Sequence, residues 1–265
     1  VTARERAFGK NDLQTARSLS TLATVLAYRG EWTEAEALEQ RSLAIRRAAV
    51  GERDTLVAMS LRQLGAFAFW QGNAAESESL YRAALATYDV STFRPASRIA
   101  DLWLILSEAL RVQERYDEAR DALKQGLAVA ESGLSREDPL RASLVTNLAG
   151  LYKDQARYLD AEPLLSEALA FQRAAQPPDN DLIATAELNL AEVYRPQGRM
   201  DEAAPHYEAA LGLARRSFGN DNANTLPVPG VLRTSTRPPC ASAKWRTSAR
   251  PSPAPVVCAV ASEVR

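Results

Sequence analysis

The sequence predicts an all-α fold of antiparallel helix pairs stacked in a row, followed by a tail without a core of its own. Three observations carry this expectation. Five stretches of the 265-residue chain align without gaps, each starting 42 residues after the last: "LSTLATVLAYRGEWTEAEAL" from Leu19, "LRQLGAFAFWQGNAAESESL" from Leu61, "WLILSEALRVQERYDEARDAL" from Trp103, "VTNLAGLYKDQARYLDAEPLL" from Val145 and "ELNLAEVYRPQGRMDEAAPHY" from Glu187. Within them leucines and small residues recur at helical spacing, and the chain is rich in Ala and Leu and poor in Gly, as suits a helical protein. Beyond Thr225 the pattern stops at Pro227, Pro229 and Gly230, which no first helix of a unit accommodates.

The chain opens at the close of a repeat, because Phe8 and Thr15 match Phe218 and Thr225 five periods later. Each unit then reads as helix, turn, helix. In the first helix one column holds Leu22, Leu64, Leu106, Leu148 and Leu190, and the next holds Ala23, Gly65, Ser107, Ala149 and Ala191. The leucines mark a buried face, and the small residues let two helices approach closely. The turn falls near Gly30, Gly72 and Gly198, with Glu114 and Ala156 in the same column. The second helix carries Ala35, Ser77, Ala119, Ala161 and Ala203, then Leu43, Leu85, Leu127, Leu169 and Leu211. Trp32, Tyr116 and Tyr158, just past the turn, are expected in the core. Asp138 before Pro139 makes a good helix start. Pro163 and Pro205 are expected in the first turn of their helices, where N–H groups lack intrahelical partners in any case. The expected organisation is five repeats over residues 1–225, giving ten helices, and a disordered Pro-, Arg-, Ala- and Ser-rich tail over residues 226–265.

These motifs resemble the tetratricopeptide repeat, whose signature runs W-x2-L-G-x2-Y and then A-x3-F over about 34 residues. "WLILSEAL" supplies the Trp, the Leu and the small residue; "VTNLAGLY" and "ELNLAEVY" supply Leu, Ala and Tyr; "SESLY" and "AAPHY" supply the small-x3-aromatic half. The longer period and "NLAGLYKDQARYLDAEPLLSEALA", including its "AEPL", are similar to the kinesin-light-chain subtype. Glu39 and Leu123 depart from the pattern in place of the aromatic, and Glu187 takes the Trp column. The resemblance covers residues 8 to about 225 and implies a right-handed α-solenoid whose first helices line a concave groove. It implies a non-catalytic protein–protein interaction scaffold that binds a peptide segment of a partner in that groove.

Candidate groove residues follow from the columns of the first helix. Asn147 and Asn189 stand just before Leu148 and Leu190, and the resemblance implies that asparagines there bond the backbone of a bound peptide. Arg111, Lys153 and Arg195 repeat at one height in successive units. Such a row favours an acidic partner through charge-assisted hydrogen bonds, or else it is a set of solvated cations that suit helix C-termini. Glu108 and Glu192, three residues earlier, are placed to pair with Arg111 and Arg195. Tyr28 and Trp70 occupy the following column, either as apolar anchors in the groove or as packing between units. His206 is the only histidine and has no adjoining Cys, Asp or Ser arrangement in the sequence, so a packing or surface role is expected rather than catalysis.

Residues 1–226 hold no Gly-rich phosphate loop, zinc-ligand spacing, nucleophile elbow or paired catalytic carboxylate motif. The expectation is no enzyme activity, no metal and no cofactor. A net charge of -1 gives no general affinity for nucleic acid or membrane, and no apolar run approaches the length of a membrane span. The N-terminus lacks an apolar leader, and Cys240 and Cys258 read as free thiols, so a cytoplasmic location is expected. The tail is strongly basic, with Arg233, Arg237, Lys244, Arg246, Arg250 and Arg265 against Glu263. It is either a natural interaction arm or the product of a shifted reading frame that replaced a sixth unit. Likewise Val1 is either an alternative start or the edge of a longer protein. Without a following first helix, Tyr207, Ala210 and Leu211 are expected to form an exposed strip that makes the C-terminal end the least stable part of the array or drives self-association through it. The rival reading is a regulatory repeat segment of a larger bacterial signalling enzyme, a caspase-like protease or a nucleotide-binding signalling protein.

Overall fold

A computed structural model of the chain describes residues 2–174 and 180–218. The tail expected from residue 226, with both cysteines, lies outside the described residues. Regular structure within them is helical throughout. A short α1 (Thr2–Phe8) precedes five hairpins: α2 (Leu13–Tyr28) with α3 (Trp32–Val50), α4 (Thr55–Trp70) with α5 (Ala74–Val90), α6 (Ala96–Val112) with α7 (Tyr116–Gly133), α8 (Pro139–Asp154) with α9 (Tyr158–Ala174), and α10 (Asn180–Tyr194) with α11 (Met200–Phe218). Each hairpin's two helices pack most extensively against one another. The chain divides into two compact units, the first ending its helical part at Phe93 and the second starting at Arg94. The first contains α1 to α5, the second α6 to α11.

One set of backbone bonds makes every hairpin. The amide one residue past the turn column donates to a carbonyl five residues back: Glu31 to Leu26 at 3.0 Å, Asn73 to Ala68 at 2.9 Å, Arg115 to Leu110 at 3.0 Å, Arg157 to Tyr152 at 2.8 Å and Arg199 to Tyr194 at 3.2 Å. This closure holds the intervening residue in the left-handed region. Glycine occupies it at Gly30 and Gly72 (φ 81° and 84°), but Glu114 and Ala156 are forced there too, at 60° and 57°, for about 1–2 kcal/mol each. The opposite ends of three first helices are capped alike. Asp12, Asp54 and Asp138 accept hydrogen bonds from the amides of Gln14, Leu56 and Leu140 at 2.7, 2.8 and 2.9 Å, which satisfies amides that have no intrahelical partner.

The small columns bury as the repeat predicts, and Leu64, Leu106, Leu148 and Leu190 are buried with them. Four expectations are corrected. Leu22 is exposed, because no second helix covers that part of α2. Trp32, Tyr116 and Tyr158 are only half-buried, since each is the first residue of its helix, at the edge of the stack. Pro163 and Pro205 lie inside α9 and α11 rather than in the first turn, because these helices already begin at Tyr158 and Met200. The missing amides deprive the carbonyls of Leu159 and Asp201 of their usual donor, and both residues are exposed, so solvent reaches them. Tyr207 and Ala210 are buried rather than exposed, for they face α10 within their own hairpin, while Leu211 is half-buried.

The first unit replaces part of its apolar core with charge. Glu39, in the aromatic column, is fully buried and its two carboxylate oxygens have no hydrogen-bond partner. Its counter-charge is Arg46, 3.8 Å away and itself nearly buried, which donates to the Ser60 hydroxyl at 2.7 Å and the Leu56 carbonyl at 3.2 Å. Burial pushes the Glu39 carboxyl above the ordinary carboxylate range, and Ser20, Ser60 and Arg46 pull it back only in part. The folded state therefore holds this proton more tightly than the unfolded chain does. Stability contributed by the neutral form is present at low pH and is lost as pH rises through the raised value.

Two measurements check this packing. Gly65 sits where an added Cβ would lie 2.5 Å from a ring carbon of the buried Tyr81, whereas a Cβ on helical Gly150 meets nothing within 4 Å. In denaturant unfolding, Gly65→Ala should lose about 1–3 kcal/mol, while Gly150→Ala gains roughly 0.5–1 kcal/mol from helix propensity. Arg46→Met alone should lose about 3–5 kcal/mol, whereas Glu39→Leu with Arg46→Met should match or exceed the wild type. The paired variant should also lack the decline in stability with rising pH above the ordinary carboxylate range.

Candidate functional site

In the second unit, Arg111 and Lys153 stand in the last turns of α6 and α8, and Arg195 opens the short 3-10 turn that follows α10. None of the three stands alone. Arg111 donates from Nη1 to Oδ2 of Asp154 at 3.2 Å and from Nη2 to Oε2 of Glu108 at 2.9 Å. Lys153 donates to Oδ1 of Asn189 at 3.1 Å. Arg195 donates to Oε2 of Glu192 at 2.8 Å, and the Glu192 carboxylate also accepts from the Tyr207 hydroxyl. The Arg111–Asp154 pair thus ties α6 to α8, Lys153–Asn189 ties α8 to α10, and Tyr207–Glu192 ties α10 to α11.

The electrostatics follow from this wiring. Burial pushes the Glu192 carboxyl up, but hydrogen bonds from Arg195 and Tyr207 and the charges of Arg195 and Lys153 outweigh it and hold the group below its ordinary range. Tyr207, desolvated and bonded to that carboxylate, is pushed up to about 12. Burial works against the Arg111 cation, yet Glu108 and Asp154 more than compensate. The surface is therefore a fixed mosaic of both signs. Lys153 differs from its two neighbours in being bonded to a neutral amide.

The asparagines are placed unequally. Asn189 has its carbonyl oxygen engaged by Lys153, while Asn147 turns its amide onto the Ser143 carbonyl of its own helix at 2.9 Å. Both are half-buried. Asp154 was missed by sequence reasoning, although it stands in the same column as Tyr28 and Trp70, one period beyond Val112. Reading that column through all five units would have shown an acid beside the cations.

A second cluster, which the sequence did not reveal, joins α9, α10 and α11. Glu187, 1% exposed, receives Arg173 on one oxygen and approaches His206 Nδ1 at 2.6 Å with the other. The His206 ring stacks on Tyr194 at 5.6 Å, and the Arg199 guanidinium lies 4.5 Å from the Tyr194 ring centroid. Glu162 of α9 accepts from Arg199 at 2.6 Å and from the Tyr194 hydroxyl at 3.2 Å. The only histidine of the chain thus packs α11 onto α10.

In the first unit the corresponding helix ends are aromatic. Tyr28 is 46% exposed and its ring lies 6.1 Å from that of half-buried Trp70. Trp70 in turn sits 5.9 Å from Trp32 and 6.4 Å from Phe67. Such spacings suit tilted aromatic pairs. No group of three His, Cys, Asp or Glu able to hold a metal occurs among the described residues, and no described helix is long and apolar enough to cross a membrane.

Two family models, both described as tetratricopeptide repeat, match the chain over residues 98–174 and 182–228 and over residues 15–55 and 57–88. No curated protein matches the sequence significantly. Among solved structures, the chain is similar to BtubC (BKLC) from P. vanneervenii, with a TM-score of 0.71 at 19% identity over 87% of this chain and 89% of that one. A Podosopora anserina protein described as a kinesin light chain of nearly identical TPR-like repeats gives 0.66 at 21% identity, over 78% of this chain and 98% of its own. YrrB, described as a TPR protein with an unusual peptide-binding site, gives 0.51 at 16% identity over 80% and 90%. At these identities the likeness is one of fold.

Proposed function

Because the chain belongs to the tetratricopeptide repeat family, we propose that it is a non-catalytic protein–protein interaction scaffold whose first-helix face holds a peptide segment of a partner. The carrying observation is the mosaic of half-buried Arg111, Lys153 and Asn189 with exposed Asp154, which cross-links three successive first helices while remaining open to solvent. Polar groups held in place in this way bind a peptide backbone without first losing side-chain freedom. Asn147 and Asn189 supply amide groups for that backbone. A preference for an acidic partner rests on Lys153, since the charges of Arg111 and Arg195 are already answered by Glu108, Asp154 and Glu192. In the first unit, Tyr28 and Trp70 offer an apolar floor instead. That YrrB has a peptide-binding site supports the reading. Self-association at the C-terminal end would rest on half-buried Leu211, because Tyr207 and Ala210 are engaged by α10.

A pull-down with the full chain, compared with a Lys153→Ala, Asn147→Ala and Asn189→Ala variant, tests this. The variant should recover at least tenfold less partner with an unchanged helix content, because these side chains stand off the leucine face. Lys153→Ala alone should lower the salt dependence of binding. Equal recovery by wild type and variant would contradict the assignment of this face.

A further inference from the structure

A glycine in a helix costs stability relative to alanine, so each one needs a reason. Three of the helical glycines have theirs in the packing. A Cβ on Gly65 would lie 2.5 Å from Tyr81, one on Gly126 2.7 Å from Leu144, and one on Gly133 2.3 Å from Ala96. Gly150, within α8, has no such reason, because a Cβ there meets nothing within 4 Å. Gly212 of α11 is equally open but stands off the first helices. In the neighbouring first helices α6 and α10 the column of Gly150 holds Glu108 and Glu192, whose partly exposed side chains pair with Arg111 and Arg195. Gly150 is therefore a gap, one side chain deep, in a face that solvent reaches.

Polar groups bracket the gap. Asn147 lies three residues before Gly150 and Lys153 three residues after it, which on a helix puts all three on one face. Asn147 spends its amide nitrogen on the Ser143 carbonyl at 2.9 Å, and Asn189 spends its carbonyl oxygen on Lys153 at 3.1 Å. What the two asparagines have left among the described residues is complementary: an acceptor, Oδ1 of Asn147, on α8 and a donor, Nδ2 of Asn189, on α10. Packed helix axes lie about 8–10 Å apart, a distance that roughly three residues of extended chain span. A main chain offers an N–H and a C=O over that span only when it is extended, since a helix interior spends both on itself.

We propose that Gly150 is the point at which an extended partner segment lays its main chain against α8, with Asn147 Oδ1 accepting from one of its N–H groups and Asn189 Nδ2 donating to one of its carbonyls. The missing side chain admits the backbone, the use glycine has wherever a ligand approaches a main chain closely. Glu108 and Glu192 wall the passage on its two sides. The occupant is thus an extended segment and not an amphipathic helix, and α8 gives up helix stability to admit it. This assignment rests on the first-helix face being the binding face.

The probe is a library of random twelve-residue peptides displayed on phage and selected on the immobilised full chain, the enriched peptides being synthesised and titrated by fluorescence anisotropy. Gly150→Leu should weaken them about tenfold or more and Gly150→Ala by less, while both variants unfold at no lower denaturant concentration than the wild type. A scan of singly N-methylated peptides should find one position whose loss of binding to the wild type disappears with Asn147→Ala. Full affinity for both Gly150 variants, in peptides that the Lys153→Ala, Asn147→Ala and Asn189→Ala variant no longer binds, overturns the inference and leaves the binding face standing. Tighter binding by the same peptides stapled as helices also overturns it. No enriched peptide, or peptides indifferent to every one of these substitutions, overturns the binding face and the inference together.

Discussion

The fold depends on the close approach of two helices whose apolar faces are covered only when a neighbour lies beside them. In the first unit the leucine column is buried only where a preceding helix covers it. The column is buried in α4, where α3 covers it, and exposed in α2, where α1 is too short to do so. Stability is then a chain of nearest-neighbour terms, and the recurring turn closure is what brings each pair into register. That closure is strong enough to hold Glu114 and Ala156 in a backbone region that normally belongs to glycine.

The face proposed to bind a partner is the side of the first helices that this packing leaves free. Cations repeat there because the repeat itself sets their spacing, but what they can do is decided by the acids next to them. Arg111 and Arg195 are each held by a carboxylate and so act as rigid polar surface more than as free charge. The same logic separates the two units: one presents aromatic rings at its helix ends, the other an ionic lattice. A ligand reading either face meets groups already ordered by the protein.

The sequence disclosed what the repeat enforces. The helix pairs, the turn column and the small residues were legible because each appears in register five times, and averaging over copies cancels local accident. What it concealed are the departures. Glu39 and Arg46 form a buried pair only because α3 and α4 bring Arg46 to Ser60, a contact that no single column predicts. Glu187, read as an odd occupant of the Trp column, proved to be the carboxylate that engages both Arg173 and His206. Leu22 matched its column perfectly and is nonetheless exposed, since burial belongs to the neighbour and not to the residue.

That last point is open to direct measurement by native-state hydrogen exchange resolved helix by helix. If coverage by the preceding second helix sets local stability, amides in the C-terminal half of α2, around Leu22 to Tyr28, will exchange markedly faster than those of the matching half of α4, around Leu64 to Trp70. Equal protection of the two segments would contradict the claim that cover by α3 is what protects this part of α4.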